Sequence, residues 1–505
     1  MSSNTAQSRS ESAQSPRESA QSPRGRAWPR QSFLQAEQAF GARDVMFALA
    51  LFGLSLTLRA IVVLAFEVEP IWDGAFYHRG AISIAEGFGY SEPGILAGQA
   101  GRLPWSHYPV GYSALLGGVY ALFGSGSHVA PLVNAVVGAL TAVVGFLFAF
   151  DLLGRSRACV AGLLLALHPG LILYCTLVMT EPLAGFLLLL TGYLGWKLGH
   201  LRRGALLCGV VLALSTFVRP QSLLAAPLLL ILFRGSLLRR LTQLALAGLM
   251  SACLIAPWTL RNCVLLDGCA LVSTNGGWNL AISALSETGR FRALTPEDGC
   301  RGIDGPVAQD RCWAQVGAAA IRRAPEQWLA RIPIKLSHTY NHESFAIAYL
   351  NEARPGAWDQ EQKWRLMNLM TAFHHALMSA ALLGAVGRFS LRGGTTGRKG
   401  PWPQVAIVVA LVLFIAYALT LPDRPLFWVG VAIPLIGLLR LPGAPPLHPG
   451  LAYLFGLLAI TSLTHIVFFG DDRYHLAISP ALCVLAAGAF RSPARRSSST
   501  GSTSH

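Results

Sequence analysis

The 505-residue chain is 53% hydrophobic and 13% charged, with a formal net charge of +15 and a mean hydropathy of +0.47. Soluble domains carry roughly 25% charged residues, so a deficit of this size excludes an ordinary soluble enzyme and indicates a polytopic membrane protein. The arginines fall in short clusters between apolar runs, a topology signal. With no zinc-finger spacing, aromatic RNA-binding signature or basic helix, no nucleic-acid partner is expected.

In chain order, residues 1–43 come first as a disordered tail. Glu-Ser-Ala-Gln-Ser-Pro-Arg occurs at 11–17 and again at 18–24, and such a composition cannot bury enough surface to fold. It does not resemble a cleavable signal peptide, because the apolar run after it starts near Val45 and continues for about 20 residues. Apolar runs then fall at 45–66, 128–150, 157–176, 181–197, 204–218, 220–234, 240–258, 366–386, 403–420, 425–440, 450–469 and 474–490. The expected fold is all-α, a bundle of about 12 transmembrane helices. It divides into an N-terminal transmembrane module at 44–258 with a first outer loop at 67–127, an extracytoplasmic subdomain at 259–365, C-terminal helices at 366–490 and a tail at 491–505. Within the subdomain, 311–331 reads as helical. The apolar but short segment 109–123 is rich in Gly and Tyr and is placed along the membrane surface.

Basic clusters mark the cytoplasmic side. They comprise Arg24, Arg26 and Arg30; Arg155 and Arg157; Lys197, Arg202 and Arg203; Arg234, Arg239 and Arg240; Arg388, Arg392, Arg398 and Lys399; and Arg491, Arg495 and Arg496. All lie inside if 109–123 does not cross and both termini are cytoplasmic. Asp73, Thr180-Glu181, Arg261-Asn262, Asp423 and Asp471-Asp472-Arg473 then share the outer face with 259–365. Five of nine cysteines sit in apolar spans. Cys263, Cys269, Cys300 and Cys312 lie outside, where an oxidising compartment allows pairing; Cys300 with Cys312 is the preferred bridge. No Cys-x-x-Cys pair offers a structural zinc site.

Charged residues at a membrane boundary are costly to desolvate, and their arrival on one face from distant spans marks them as functional candidates. Asp73, in Pro70-Ile-Trp-Asp-Gly-Ala-Phe-Tyr77, has aromatic neighbours that would raise a carboxylate's basicity and suit a general base. Glu181 opens a span at Thr180-Glu181-Pro182, and Arg219-Pro220 breaks another, where an arginine can meet an anion. Arg261-Asn262 closes the span ending Pro257-Trp-Thr-Leu. Asn275 and Asn279 flank Gly276-Gly277 and carry amides suited to sugar hydroxyls. Each of these motifs also has a plain reading as a turn or a solvated helix end.

Taken in order, these residues resemble the multi-spanning glycosyltransferases that use lipid-linked sugars, the family of protein O-mannosyltransferases and bacterial aminoarabinose transferases (GT-C fold, family-39-like). The similarity runs over residues 45–490. Trp72-Asp-Gly-Ala-Phe-Tyr77 followed by Ala81–Tyr90 is similar to that family's acid, tyrosine and Gly-rich turn outside the first helix. His107-Tyr-Pro-Val-Gly-Tyr112, Glu181-Pro182, Arg219-Pro220, Pro257–Asn262 and Arg473-Tyr474 follow in the family's order. Gly74 departs from it: the acidic pair of protein mannosyltransferases is single here, which favours the broader bacterial branch.

The resemblance implies an inverting transferase moving a sugar from a polyprenyl-phosphate donor in the membrane lipid to an acceptor hydroxyl outside the cytoplasm. Asp73 would take the acceptor proton. Glu181 would orient the acceptor or help hold a divalent metal, on which the family differs. Arg219, Arg261 and Arg473, with His107 as a further candidate, would meet the donor phosphate. Tyr77, Tyr112, Asn262, Asn275, Asn279 and Tyr474 would line the substrate site. No other cofactor is expected. The acceptor stays open among glycan, lipid and protein. A bacterial inner membrane is favoured because no outer-loop Asn forms an Asn-x-Ser/Thr sequon. Two other classes compete: a transporter or flippase of lipid-linked sugars, and a non-catalytic envelope-assembly subunit. No repeated halves of the kind transporters show are visible.

Overall fold

The computed structural model describes residues 39–96, 99–387, 427–439 and 446–490. Most of the N-terminal tail, the C-terminal tail, the apolar run at 403–420 and the Arg388–Lys399 cluster lie outside them. The described residues from Ala39 onward form one compact unit.

Among the described residues, five helices are long and apolar enough to cross a membrane. They are α1 (Ala42–Ala65), α4 (Val129–Leu153), α10 (Leu237–Leu265), α16 (Gln360–Gly387) and α18 (Pro449–Val467). A sixth crossing is available where α5 (Arg155–Leu167) continues, bent by 49°, through α6 (Pro169–Leu173) and a short 3₁₀ turn to Thr176. Other expected spans take shorter forms. The 181–197 run is α7 (Glu181–Leu198) and the 204–218 run is α8 (Arg202–Val218). The 220–234 run is a 3₁₀ turn (Pro220–Leu228) with the brief α9 (Leu229–Leu232). Of the 425–440 run, α17 (Phe427–Leu438) is described, and the last run is a 3₁₀ turn (Asp472–Ile478) leading into α19 (Ser479–Ala487).

Burial along α10 shows which solvent the fold is built for. Its buried residues Gln243, Ala247, Ser251 and Ile255 recur every fourth position, one narrow stripe of small and polar side chains. Leu237, Leu238, Leu249, Leu260 and Val264 point outward, all more than half exposed. Each such leucine would cost about 1.5–3 kcal/mol to leave in water, whereas lipid accepts them without loss. The stripe is narrow because the backbones approach closely: Ser251 Oγ donates to the Gly209 carbonyl of α8 at 2.7 Å. Small residues at a helix interface with leucines facing out are the signature of packing in a bilayer. The chain is a membrane protein.

The break between α5 and α6 frees carbonyls that water cannot reach. Arg59 of α1, fully buried, supplies donors. Its guanidinium donates to Leu165 O at 2.9 Å and to Ala166 O at 3.0 Å, and to Ser55 Oγ on its own helix. A charged side chain inside the bundle is tolerated because it caps a helix end that the His168-Pro169 bend leaves open.

Charges segregate to opposite ends of the same helices. At one end Arg155 forks onto both carboxylate oxygens of Asp44, at 2.6 and 2.7 Å, and Lys197 meets Asp151 at 2.8 Å. At the other end α1 runs out into the segment carrying Asp73, and α7 begins with Glu181. The 24 residues of α1 separate these ends by about 36 Å.

The all-α expectation needs one correction. Within the segment 67–127, after α2 (Trp72–Ala85), β1 (Ser91–Leu96) and β2 (Gln99–Pro104) pair antiparallel, Ser91 opposite Pro104. An isolated hairpin is marginal in water. This one is held at its base, where Arg102 donates to Ser91 Oγ at 3.1 Å and its guanidinium lies 4.4 Å from the Phe88 ring. After it, 109–123 forms α3 (Val110–Phe123), 14 residues packed on α2.

The polar interval 259–365 is helical: α11 (Gly276–Leu285), α12 (Pro306–Arg323), α13 (Pro325–Ala330), α14 (Ile332–Tyr340) and α15 (Phe345–Ala353). Cys300 is joined to Cys312, and Cys263 to Cys269. Alkylation of the unfolded, unreduced protein is therefore expected to tag the five remaining cysteines, and prior reduction to expose all nine. Nine tags without reduction would show that these segments face a reducing compartment.

Candidate active site

Asp73 occupies the first turn of α2, where the unpaired N–H groups of a helix start favour a carboxylate. The corner leading into it is unusual: Trp72 has φ +48°, the left-handed region that a bulky residue rarely enters. The α15 helix holds it there. Tyr349 Oη accepts from Ile71 N at 2.8 Å and donates to Ile71 O at 3.1 Å, and the Trp72 indole donates to Glu352 at 2.8 Å. The same tyrosine explains Gly74. A Cβ at position 74 would stand 2.5 Å from Tyr349 Oη and 3.1 Å from Val178 O, so this fold has no room for a second acid beside Asp73.

Two donors grip the Asp73 carboxylate. Arg473 Nη1 reaches Oδ2 at 2.6 Å, and Tyr108 Oη donates to Oδ1 at 2.8 Å. Arg473 starts the turn that precedes α19, 400 residues away in sequence. Its guanidinium lies over the Phe345 ring at 5.3 Å and the Tyr474 ring at 5.1 Å. Beside this pair stands a second. Arg219, at the end of α8, donates to Glu181 Oε1 at 2.7 Å and to Thr180 Oγ1 at 3.1 Å. Glu181 is fully buried, and its Oε2 has no hydrogen-bond partner among the described residues. Tyr474 joins the two pairs, with Arg219 5.5 Å from its ring on the site side and His465 stacked on it at 4.4 Å.

Burial raises the affinity of Asp73 for a proton, but the charge of Arg473, the hydrogen bonds from Tyr108 and Arg473 and the more distant charge of Arg219 outweigh it. The carboxyl sits below its usual range. The expectation that aromatic neighbours make Asp73 more basic is thus not met; two guanidinium groups dominate at short range. Asp471 goes the other way. Burial and then its neighbour Asp472 lift it to about 6, although its carboxylate caps the turn by accepting from Arg473 N at 3.2 Å. His107 is held below the usual imidazole value by burial, and its ring packs edge-on against Tyr108 and Trp278.

The other expected residues divide. Tyr77 is buried under Tyr108 and against Tyr112. Tyr112 is fully buried and donates to Asn134 at 2.9 Å, as part of the floor of the site. Arg261 does not join the acids. It donates to the carbonyls of Tyr90 at 2.8 Å and Trp105 at 2.9 Å and to Asn262 Oδ1, and so anchors the segment 67–127 to α10. Asn262 is buried on the carbonyl of Ala270. Asn275 accepts from Ser273 Oγ at the start of α11, and Asn279 is half-buried on that helix. The residues that sequence reading missed are Tyr108, which lies inside the quoted His107–Tyr112 segment, and Phe345 and Tyr349. Nothing in the sequence around those last two announces a role.

A cavity opens from this cluster into the bundle. Arg219 and Tyr474 stand at its polar mouth, and Leu188, Ala225, Leu457 and Ile460 are among its apolar walls. Asp73 and Glu181 each already accept from an arginine, and neither belongs, among the described residues, to a set of three or more His, Cys, Asp or Glu side chains placed to hold a metal ion.

No family model matches the sequence, and no curated protein matches it by sequence. Among solved structures it is similar to the Archaeoglobus fulgidus oligosaccharyltransferase tethered with an acceptor peptide containing the NVT sequon. The TM-score is 0.43 at 12% identity, covering 88% of this chain and 49% of that one. It is also similar to the archaeal oligosaccharyltransferase AglB from the same organism in complex with an inhibitory peptide and a dolichol-phosphate, with TM-score 0.43, 11% identity and coverages of 88% and 50%. ArnT from Cupriavidus metallidurans bound to undecaprenyl phosphate gives TM-score 0.36 and 14% identity, covering 89% of this chain and 77% of that one. The chain spans about half the length of the two archaeal proteins.

Proposed function

We propose that the chain is an inverting glycosyltransferase of GT-C type that transfers a sugar from a polyprenyl-phosphate donor to an acceptor hydroxyl. In this reading it acts at the outer face of the cell inner membrane, with both termini cytoplasmic. One observation carries the reading: Asp73, a carboxylate at a helix start, is paired with Arg473, and Tyr474 links that pair to the Arg219–Glu181 pair, whose arginine lines a small cavity with apolar walls. The segregation of the Arg155 and Lys197 pairs to the opposite helix ends supports the sidedness.

The chemistry follows from what Arg473 does now and what a donor would ask of it. A lipid phosphate entering the cavity head-first meets Arg219 and Arg473. As Arg473 turns its charge toward the phosphate, Asp73 loses the partner that depresses its pKa, and burial then makes it a stronger base. The acceptor hydroxyl gives its proton to Asp73 as its oxygen bonds to the anomeric carbon from the face opposite the phosphate. The bond from that carbon to the phosphate oxygen breaks, and its electron pair leaves with the lipid phosphate, whose added charge the two arginines hold. Attack from the far side inverts the anomeric centre. Tyr108 keeps the carboxylate oriented throughout, and Arg261 takes no part beyond fixing the loop.

Purified protein in vesicles, supplied with a polyprenyl-phosphate sugar and envelope extract, is expected to form a glycosidic bond of inverted configuration, read by mass spectrometry and NMR of the product. A donor that crosses the bilayer with no bond formed would identify a transporter. Loss of glycan only in cells, with neither event in vesicles, would identify an assembly subunit.

A further inference from the structure

Behind the turn that presents Arg473 lies a second cluster, which the transfer chemistry does not use. Glu343, His374 and His475 come from three separate elements: the segment before α15, the middle of α16 and the turn before α19. All three are buried, and one ligand atom of each lies within 4.8 Å of the others. Neither carboxylate oxygen of Glu343 has a hydrogen-bond partner among the described residues, nor does His374 Nδ1 or His475 Nε2. The other ring nitrogen of each histidine is committed. His374 Nε2 stands 3.1 Å from Tyr340 O and His475 Nδ1 2.7 Å from Thr339 O. A carbonyl can only accept, so each of these nitrogens carries the proton, and the lone pairs of His374 Nδ1 and His475 Nε2 are left free to bind an ion. That tautomer, with the outer N–H on a backbone carbonyl, is how metal-binding histidines are held.

We infer that Glu343, His374 and His475 supply three of the ligands of a zinc-class divalent ion that braces the fold, distinct from the Asp73–Arg473 pair. The alternative of hydrogen bonding within the cluster is poorly served. The near contact of Glu343 to a fourth ring, His168 Nδ1, is 4.0 Å, and that nitrogen already accepts from Leu171 N at 3.3 Å. Two imidazoles and a carboxylate suit zinc and its first-row neighbours better than magnesium or calcium, which prefer oxygen ligands. Zinc is also redox-inert, as an ion that only braces the fold should be. Ligand atoms around a tetrahedral ion stand about 3.3 Å apart with bonds near 2 Å, so each would draw inward by less than about 1 Å. Glu343 fits there only because position 170 is glycine: a Cβ on Gly170 would lie 1.5 Å from Glu343 Oε1. The backbone of Glu343 is itself tied to α16, its N–H donating to Thr371 Oγ1 at 3.2 Å.

An ion there would pin three elements that support the site in front. His475 follows Arg473 by two residues, and Glu343 precedes Phe345, the ring under the Arg473 guanidinium, by two. The test uses tag-free full-length protein in detergent, stripped with chelator and re-supplied with Zn²⁺ or Co²⁺ alone. One zinc per chain by elemental analysis, visible absorbance from a low-symmetry Co²⁺ site and a thermal midpoint raised by several degrees on zinc addition are expected. His374→Ala and Glu343→Gln should each lose the bound metal and the midpoint rise, while Asp73→Asn keeps both. Wild-type protein that binds no stoichiometric zinc and shows no zinc-dependent midpoint overturns the proposal, and that measurement stands even if the variants fail to fold. Metal lost from Asp73→Asn but kept by His374→Ala overturns it too, by moving the ion to the catalytic acids.

Discussion

Asp73→Asn is expected to lower kcat by about 10³-fold, within the 10²–10⁴ that a positioned general base supplies, while donor affinity changes little. At 1.36 kcal/mol per tenfold that is a loss of about 4 kcal/mol of transition-state stabilisation. The substitution is close to isosteric, so an amide oxygen can still accept from Arg473, and the Trp72 corner held by Tyr349 is untouched. What disappears is the ability to receive a proton. Initial rates at saturating donor, set beside donor binding measured by titration, check it. A variant with full turnover would show that the carboxylate only pairs with Arg473 and that another group takes the acceptor proton. A variant that loses donor binding and turnover together would show that Asp73 acts by arranging the arginines.

Arg473→Leu should cost about 10²–10³ in kcat/KM through loss of a donor to the leaving phosphate, and it should also move the pH profile. In the intact site the guanidinium is a principal reason the Asp73 carboxyl lies below its usual range. The acid limb of the activity profile of the free enzyme then lies at low pH, with the base ionised above it. Without the guanidinium, burial prevails and the Asp73 pKa rises, so that limb shifts to higher pH. Arg473→Lys keeps the charge but not the planar fork and should fall between the two in rate, with a smaller shift. The full pH dependence of kcat/KM for the three proteins separates the effects. A rate loss with an unmoved acid limb would mean that Asp73 is not the titrating base.

Much of the site was legible because its chemistry is expensive. An acid or arginine at the edge of an apolar run needs a reason, and Asp73, Glu181, Arg219 and Arg473 all stood at such edges. Their order along the chain pointed the same way. The sequence misled at Arg261, which like Arg219 stands at the end of an apolar run. Whether a guanidinium turns to an anion or to backbone carbonyls depends on which loop packs over it, and the loop over Arg261 brings the carbonyls of Tyr90 and Trp105. The basicity of Asp73 was misjudged for a related reason. Neighbours in sequence are aromatic, but the nearest charge in space comes from 400 residues away.

The sequence alone determined that this chain lives in a bilayer, because hydropathy is a sum over residues and needs no partner. By the same additivity it placed the main apolar helices and the break at Pro220. Tertiary structure decided the rest. Only folding brought Tyr108 and Arg473 onto one carboxylate, set Tyr349 on the backbone beside it where it leaves Gly74 no space for a side chain, and gathered Glu343, His374 and His475. Directional contacts between distant segments fall off within a few ångströms, and no local pattern in a linear chain encodes which two such segments will meet.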